Sequence, residues 1–129
     1  MSTLKKISLL ILIVGYIAAG LNHFRVPAFY EGIIPLYIPD PKLVNAAAGV
    51  LEILCGLLLI FPKTRWYGAW GIIVLLILFL PVHIDMLKGH TEVNGKIVTP
   101  VWAWLRLFLQ PVLILWAWWH SKEPTDDGS

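Results

Sequence analysis

Four long apolar segments alternate along the chain with shorter segments that are rich in proline or charge. A helix that crosses a bilayer needs about 20 mostly apolar residues. Four segments reach or approach that length: Ile7 to Phe24, Leu43 to Phe61, Trp66 to Ile84 and Val101 to Trp119. The pattern predicts an all-α membrane protein, with a bundle of four transmembrane helices in residues 1–120 and a disordered cytoplasmic tail in residues 121–129.

The composition also favours lipid as the solvent. Of the 129 residues, 58% are hydrophobic and 14% are charged, and the mean hydropathy is +0.76. Soluble domains are about half apolar and about a quarter charged, and a short chain has little interior in which to bury additional apolar surface. The net charge of +2 gives no indication of nucleic-acid binding. Cys55 is the single cysteine, which excludes an internal disulfide, a CxxC pair and an iron–sulfur cluster.

The first apolar segment has some features of a cleavable signal peptide. Lys5 and Lys6 precede an apolar stretch, and small residues follow near Ala18–Gly20. The apolar run nevertheless continues through Phe24 without a polar break. This continuity favours a membrane anchor.

Cations in the short connections predict the orientation, because lysine and arginine are more frequent on the cytoplasmic side. One side of the predicted bundle has five cations and the other has four: Lys5, Lys6, Lys63, Arg65 and Lys122 against Arg25, Lys42, Lys88 and Lys96. The side with four cations also carries the acidic residues Glu31, Asp40, Asp85 and Glu92. We therefore expect both termini in the cytoplasm (N-in/C-in).

The three connections differ in composition. Pro62–Arg65 predicts a tight hairpin between the second and third helices. The connection between the first and second helices is rich in proline and aromatic residues, which predicts an interfacial loop with a short helix beginning near Pro27. In the polar connection from Asp85 to Thr99, Asn94-Gly95 marks a turn, so Glu92–Val98 can form a small hairpin.

Polar side chains inside the spans are the candidates for a functional site, because ionisable groups there cost about 2.5–3.5 kcal/mol each on insertion scales. In the second helix, Asn45, Gly49, Glu52 and Gly56 are separated by four, three and four residues. This spacing places them on one stripe of the helix. The two glycines would let another helix approach closely beside Glu52.

Polar groups of the other helices are expected at a similar depth. At 1.5 Å per residue, Glu52 lies about 13 Å and Arg106 about 8–9 Å from the outer ends of their helices. The sequence predicts an ion pair between these two residues, with Gln110, Asn22 and His23 as neighbours. Two interpretations follow: a structural pair that fixes the helix register, or a pocket, open to the outer side, that binds a polar group.

His83 and Asp85 form a secondary candidate pair at the outer end of the third helix. Imidazole and carboxylate are ordinary zinc ligands. However, His83-x-Asp85 together with His23 and His90 does not have the spacing of a recognised metal site. We therefore predict no metal site, and the chain has no recognisable catalytic triad.

Several short motifs resemble those of the DoxX-like family of small four-helix membrane proteins. They are Asn22-His23-Phe24, Pro27-x-Phe29-Tyr30, Ile34-Pro35-x-Tyr37-Ile38-Pro39, Gly49-Val50-Leu51-Glu52-Ile53-Leu54-x-Gly56, Pro62-x-Thr64-Arg65, Leu80-Pro81, Arg106-x-x-x-Gln110 and Trp116-Ala117. The resemblance covers nearly the whole chain and implies a multi-pass protein of the bacterial inner membrane. It also implies varied functions: archaeal members are associated with a thiosulfate:quinone oxidoreductase, some bacterial members with redox partners, and distant animal relatives with receptor assembly.

These observations predict an accessory or assembly protein that binds a partner membrane protein through the polar cluster in the outer half of the bundle. The Gly49/Gly56 stripe and the lack of a redox centre favour this role, in which the chain has no catalytic activity of its own. The alternative is a quinone- or lipid-binding subunit of a membrane oxidoreductase system. In that case His23, Arg106 and Gln110 would bind a quinone head, and Glu52 would accept a proton.

The expected partners follow from the same interpretations. They are membrane lipids and either a membrane protein or a second copy of this chain, with no nucleic acid. A quinone or a lipid is the candidate small-molecule ligand. A transporter is a third interpretation, and it would require a dimer because four helices per chain are few for that function.

Overall fold

A computed structural model of the chain describes residues 2–35, 37–86, 92–93, 96–97 and 100–122. It contains four helices that are long and apolar enough to cross a membrane: Thr3–Arg25, Pro41–Ile60, Arg65–Asp85 and Val101–Ser121. Large apolar side chains lie exposed along all four, as expected of a surface that faces lipid. The predicted bundle of four membrane-length helices is therefore confirmed.

The bounds of the helices show that the third span is divided in two. The helices are α1 (Thr3–Arg25), α2 (Pro27–Ile33), α3 (Pro41–Ile60), α4 (Arg65–Leu78), α5 (Leu80–Met86) and α6 (Pro100–Ser121). Helices α4 and α5 together form the third span, and they meet at Phe79. The break lies two residues before Pro81, because proline lacks a backbone N–H and its ring clashes with the preceding helical turn.

Short elements occupy the connections. Helix α2 begins at Pro27, as predicted, and proline suits the first position of a helix because its missing N–H needs no partner there.

Strand β1 (Glu92–Val93) pairs antiparallel with strand β2 (Lys96–Ile97), in the register 92 with 97 and 93 with 96. This pairing agrees with the predicted hairpin. Its turn at residues 94–95, and residues 123–129 of the predicted tail, lie outside the described residues.

The four spans pack in sequence order: α1 on α3, α3 on α4, and α4 on α6. Their shared core is apolar and includes Leu12, Cys55, Leu59, Ile72 and Ala117. Because consecutive spans are antiparallel, one end of the bundle contains the N-terminal part of α1, the turn at residues 61–64 and the C-terminal part of α6. We call this the hairpin end, and the opposite end, which contains α2, the loop end.

Hydrogen bonds close the hairpin end. The indole Nε1 of Trp116 donates to the Oγ of Ser8 at 2.8 Å, and the Nε2 of His120 lies 3.1 Å from the same oxygen. The guanidinium of Arg65, which is buried, donates to the backbone carbonyl of Leu59 at 2.9 Å. The bonds to Ser8 join α1 to α6. The bond from Arg65 satisfies a carbonyl in the last turn of α3, which has no partner within its own helix.

Glycines bring α1 and α3 into close contact. A Cβ atom added at Gly20 would lie 2.6 Å from the carbonyl oxygen of Gly49, and one added at Gly49 would lie 2.9 Å from the Cβ of His23. A Cβ atom added at Gly56 would lie 2.7 Å from the Cγ1 of Ile17. The predicted close approach beside Glu52 is confirmed, and the approaching helix is α1 of the same chain.

This packing predicts different effects on stability for two glycine substitutions on α1. Gly20→Ala places a methyl group against the backbone of α3, so we expect the free energy of unfolding in detergent to fall by about 1–3 kcal/mol. Gly15→Ala is the matched control, because a Cβ atom there has no heavy atom within 4 Å. We expect it to be neutral or stabilising. The measurement is the loss of helical circular dichroism on titration with sodium dodecyl sulfate, and equal stability of the two variants would contradict the close contact.

Candidate functional site

His23, Asn45 and Glu52 form a buried polar cluster between α1 and α3, toward the loop end. The Nδ1 of His23 lies 2.7 Å from the Oδ1 of Asn45, whose Nδ2 donates to the backbone carbonyl of His23 at 2.9 Å. The Nε2 of His23 lies 3.1 Å from the Oε2 of Glu52. Asn45 and Glu52 lie on the predicted polar stripe, and the glycines of that stripe are what allow His23 to reach them.

The contact between His23 and Glu52 is close, but it is not an aligned hydrogen bond. The distance of 3.1 Å is that of an ion pair, whereas Oε2 has no formed hydrogen bond to any described residue. Glu52 therefore has a buried carboxyl oxygen with one close ionisable neighbour, the imidazole of His23.

The predicted ion pair between Glu52 and Arg106 is not formed. Instead, the Nη1 of Arg106 donates to the Oε1 of Gln110 at 2.7 Å, and the Nε2 of Gln110 donates to the backbone carbonyl of Leu76 at 2.6 Å. The physical reason is the order of the helices. Glu52 is on α3 and Arg106 is on α6, whereas the helix packed most closely against the polar stripe of α3 is α1, which supplies His23.

A cavity of about 310 Å³ separates Glu52 from Arg106. It lies among all four spans, and Tyr16 adds a phenol to the two ionisable groups on its wall. Its other lining residues are small or apolar: Ile11, Leu12, Gly15, Ala19, Leu75, Leu76, Phe79, Leu113 and Trp116. Gly15 is exposed, and a Cβ atom added there has no heavy atom within 4 Å, so the cavity reaches the outer surface of the bundle on the α1 side.

Helix α2 covers the polar cluster at the loop end. The ring of Tyr30 stacks on the ring of His23, with centroids 3.9 Å apart. The Nδ2 of Asn22 donates to the Tyr30 hydroxyl at 2.6 Å, and the Nε of Arg25 donates to the Oδ1 of Asn22 at 2.9 Å. Asn22, a predicted site residue, therefore holds α2 in place and does not line the cavity.

The sequence interpretation missed Tyr16 and Tyr30 as members of the site. Tyr16 lies seven residues before His23, so helical spacing already places it on the same face of α1 as His23. Tyr30 has no such signal, because its contact with His23 depends on the turn that follows Arg25. Spacing along one helix can find the first residue and cannot find the second.

His83 and Asp85, the secondary candidates, do not line the cavity. His83 is buried, and its Nδ1 has no hydrogen bond to a described residue. Asp85 is half-buried at the end of the third span. Within the part of the chain that the structure describes, no three His, Cys, Asp or Glu side chains form a group that could hold a metal ion.

This arrangement predicts which ionisable residues are energetically coupled. In a double-mutant cycle, His23→Gln and Glu52→Gln should show a coupling energy of about 0.5–3 kcal/mol, the range for residues in contact. The cycle of Glu52→Gln with Arg106→Gln should show a smaller coupling, since the cavity separates those two side chains. Free energies of unfolding in detergent measure both couplings. A larger coupling between Glu52 and Arg106 than between His23 and Glu52 would contradict the separation of Glu52 from Arg106.

Comparison with known proteins places the chain in a family. No curated protein and no solved structure matches it. The sequence matches the family model described as "Domain of unknown function (DUF8561)" over residues 12–121. That range contains α2 to α6, the part of α1 from residue 12 onward, and the three ionisable residues His23, Glu52 and Arg106. Since the match covers most of the length of the chain, the chain belongs to the DUF8561 family.

Proposed function

We propose that this protein binds a lipophilic molecule with a polar head group in the cavity between its four spans. The observation that carries the proposal is a mostly apolar cavity whose wall presents Glu52 and Arg106 without pairing them. Ionisable groups at membrane depth are expensive, and a purely structural role would be better served by direct pairing. A separated acid and base instead leave room for a polar group between them.

The cavity also suits a lipophilic ligand in size and access. Ligand pockets have volumes of about 300–1,000 Å³ and apolar walls with a few polar groups, and about 310 Å³ lies at the small end of that range. The exposed Gly15 gives a route from the lipid-facing surface. A quinone and a lipid are both ligands of this kind, in keeping with the DoxX-like character that we propose for the chain.

The accessory or assembly role has less structural support. The Gly49/Gly56 stripe, which favoured a partner helix, already packs against α1. The polar cluster is buried as well, since His23, Asn45, Glu52 and Gln110 all have little exposed surface. A partner membrane protein would therefore have to bind the apolar outer surface, where lipid can bind equally well.

A cavity-filling variant tests the proposal. Gly15→Phe adds a ring at a residue that lines the cavity, and Ala18→Phe, at an exposed residue of the same helix that does not line it, is the matched control. In native mass spectrometry of gently purified protein, we expect the wild type and Ala18→Phe to retain a molecule of quinone or lipid mass, and Gly15→Phe to lose it. An empty wild-type bundle with a bound polypeptide would support the accessory role instead.

We also propose that the protein lies in the bacterial inner membrane with both termini in the cytoplasm. The support is the cation distribution described above, in which Lys63 and Lys42 lie on opposite sides. Both side chains are exposed at helix ends, so both positions can report the orientation.

Thiol labelling tests this orientation. In a Cys55→Ser background, we expect Lys42→Cys to react with a membrane-impermeant maleimide in intact bacteria, because it should face outward. Lys63→Cys should react only after the membrane is opened. The opposite pattern would reverse the orientation, and labelling of both in intact cells would contradict the topology.

A further inference from the structure

The Asn45 amide determines where the ring of His23 carries a proton. The Nδ2 of Asn45 donates to the backbone carbonyl of His23 at 2.9 Å, and a carbonyl oxygen can only accept. The Oδ1 of Asn45 must therefore face the Nδ1 of His23, 2.7 Å away. An amide oxygen is also only an acceptor, so this contact requires a hydrogen on Nδ1.

The same reasoning places a second proton between His23 and Glu52. With Nδ1 protonated, a neutral imidazole presents a lone pair at Nε2, and an ionised carboxylate presents only acceptors. These atoms are 3.1 Å apart, and the two side chains are 8% and 9% exposed. A buried carboxylate beside a neutral imidazole would be an unpaired charge, which is costly where water is largely excluded, so one proton resides on Nε2 or on the carboxyl group. In either form the pair has a net charge of zero.

Arg106 is then the uncompensated charge at the cavity. A guanidinium is protonated at every physiological pH, and its hydrogen-bond partner Gln110 is neutral. No carboxylate of a described residue forms an ion pair with it, and the other polar group on the wall, the Tyr16 phenol, is neutral near pH 7. The wall of the cavity thus has a net charge of +1.

We propose that the cavity ligand is an amphiphile with a singly anionic head, a long-chain carboxylate, whose head pairs with Arg106. This inference rests on the proposed function and narrows it from lipophilic molecules in general to one charge class. A carboxylate matches the planar guanidinium and can accept two parallel hydrogen bonds from it. The small volume accommodates such a head and the first part of its chain, while the remaining chain leaves past Gly15 toward lipid.

Two ligands with hydrocarbon chains of the same length test whether the head group must be charged. Palmitate and hexadecanol have the same number of carbons and differ in whether the head is charged. For delipidated protein in a non-ionic detergent, titrated by native mass spectrometry, we expect palmitate to bind at least about tenfold more tightly, in line with a charge-assisted pair. Arg106→Gln should reduce this preference to about twofold or less, and Arg106→Lys, which keeps the charge, should retain most of it.

Glu52→Gln tests the shared proton separately. Glutamine is neutral, so replacing a pair that is already neutral leaves the net charge of the cavity at +1. The substitution can change the affinities for palmitate and for hexadecanol, but the ratio of these two affinities should stay within about threefold of the wild-type ratio. A roughly tenfold rise in the preference for palmitate would show that Glu52 is an uncompensated carboxylate, and would overturn the charge count.

Four further outcomes are decisive. Equal binding of palmitate and hexadecanol, or tighter binding of a neutral quinone, would overturn the anionic head and leave the proposed cavity function intact, provided that Gly15→Phe abolishes that binding. Tighter binding of phosphatidylglycerol than of palmitate would overturn the carboxylate in favour of a phosphodiester. Failure of every one of these ligands to bind the wild type would overturn the proposed function itself.

Discussion

The close contact between α1 and α3 is the constraint on which the rest of the site depends. Gly20 and Gly49 have no side chains, so the two backbones approach each other more closely than any larger residue would permit. That approach places the ring of His23 against Asn45 and Glu52. Van der Waals packing between the helices and the hydrogen bonds beside it therefore depend on the same few residues.

A second consequence is that the acid and the base of the cavity are held by different partners. Glu52 is compensated by His23 within the α1–α3 pair, and Arg106 is held by Gln110, which in turn binds a carbonyl of α4. Each side chain therefore has a close partner other than the opposite charge. The space between them can remain open, which is unusual for ionisable groups at this depth because direct pairing would lower their cost.

The order of helix packing explains how the cavity can open toward lipid. Helices α1 and α6 are the first and last of the four spans, and Ser8, Trp116 and His120 join them at the hairpin end. Farther along α1, Gly15 faces open space, so the two helices are not sealed together there. At the loop end, Tyr30 of α2 covers the polar cluster. Contacts of α1 thus lie at both ends of the helix, with open space beside Gly15 between them.

The sequence by itself determined the four spans, the helix that begins at Pro27, the polar stripe of α3 and the proximity of Arg106 to Gln110, four residues apart on α6. These features depend on hydropathy and on spacing within a single helix, both of which are local. Only the tertiary structure decided that His23 pairs with Glu52, that the glycine stripe is covered by α1, and that a cavity separates Glu52 from Arg106. Helical periodicity gives the depth and face of a residue, whereas its neighbour across an interface depends on which helices are adjacent, and many packing contacts together determine that order.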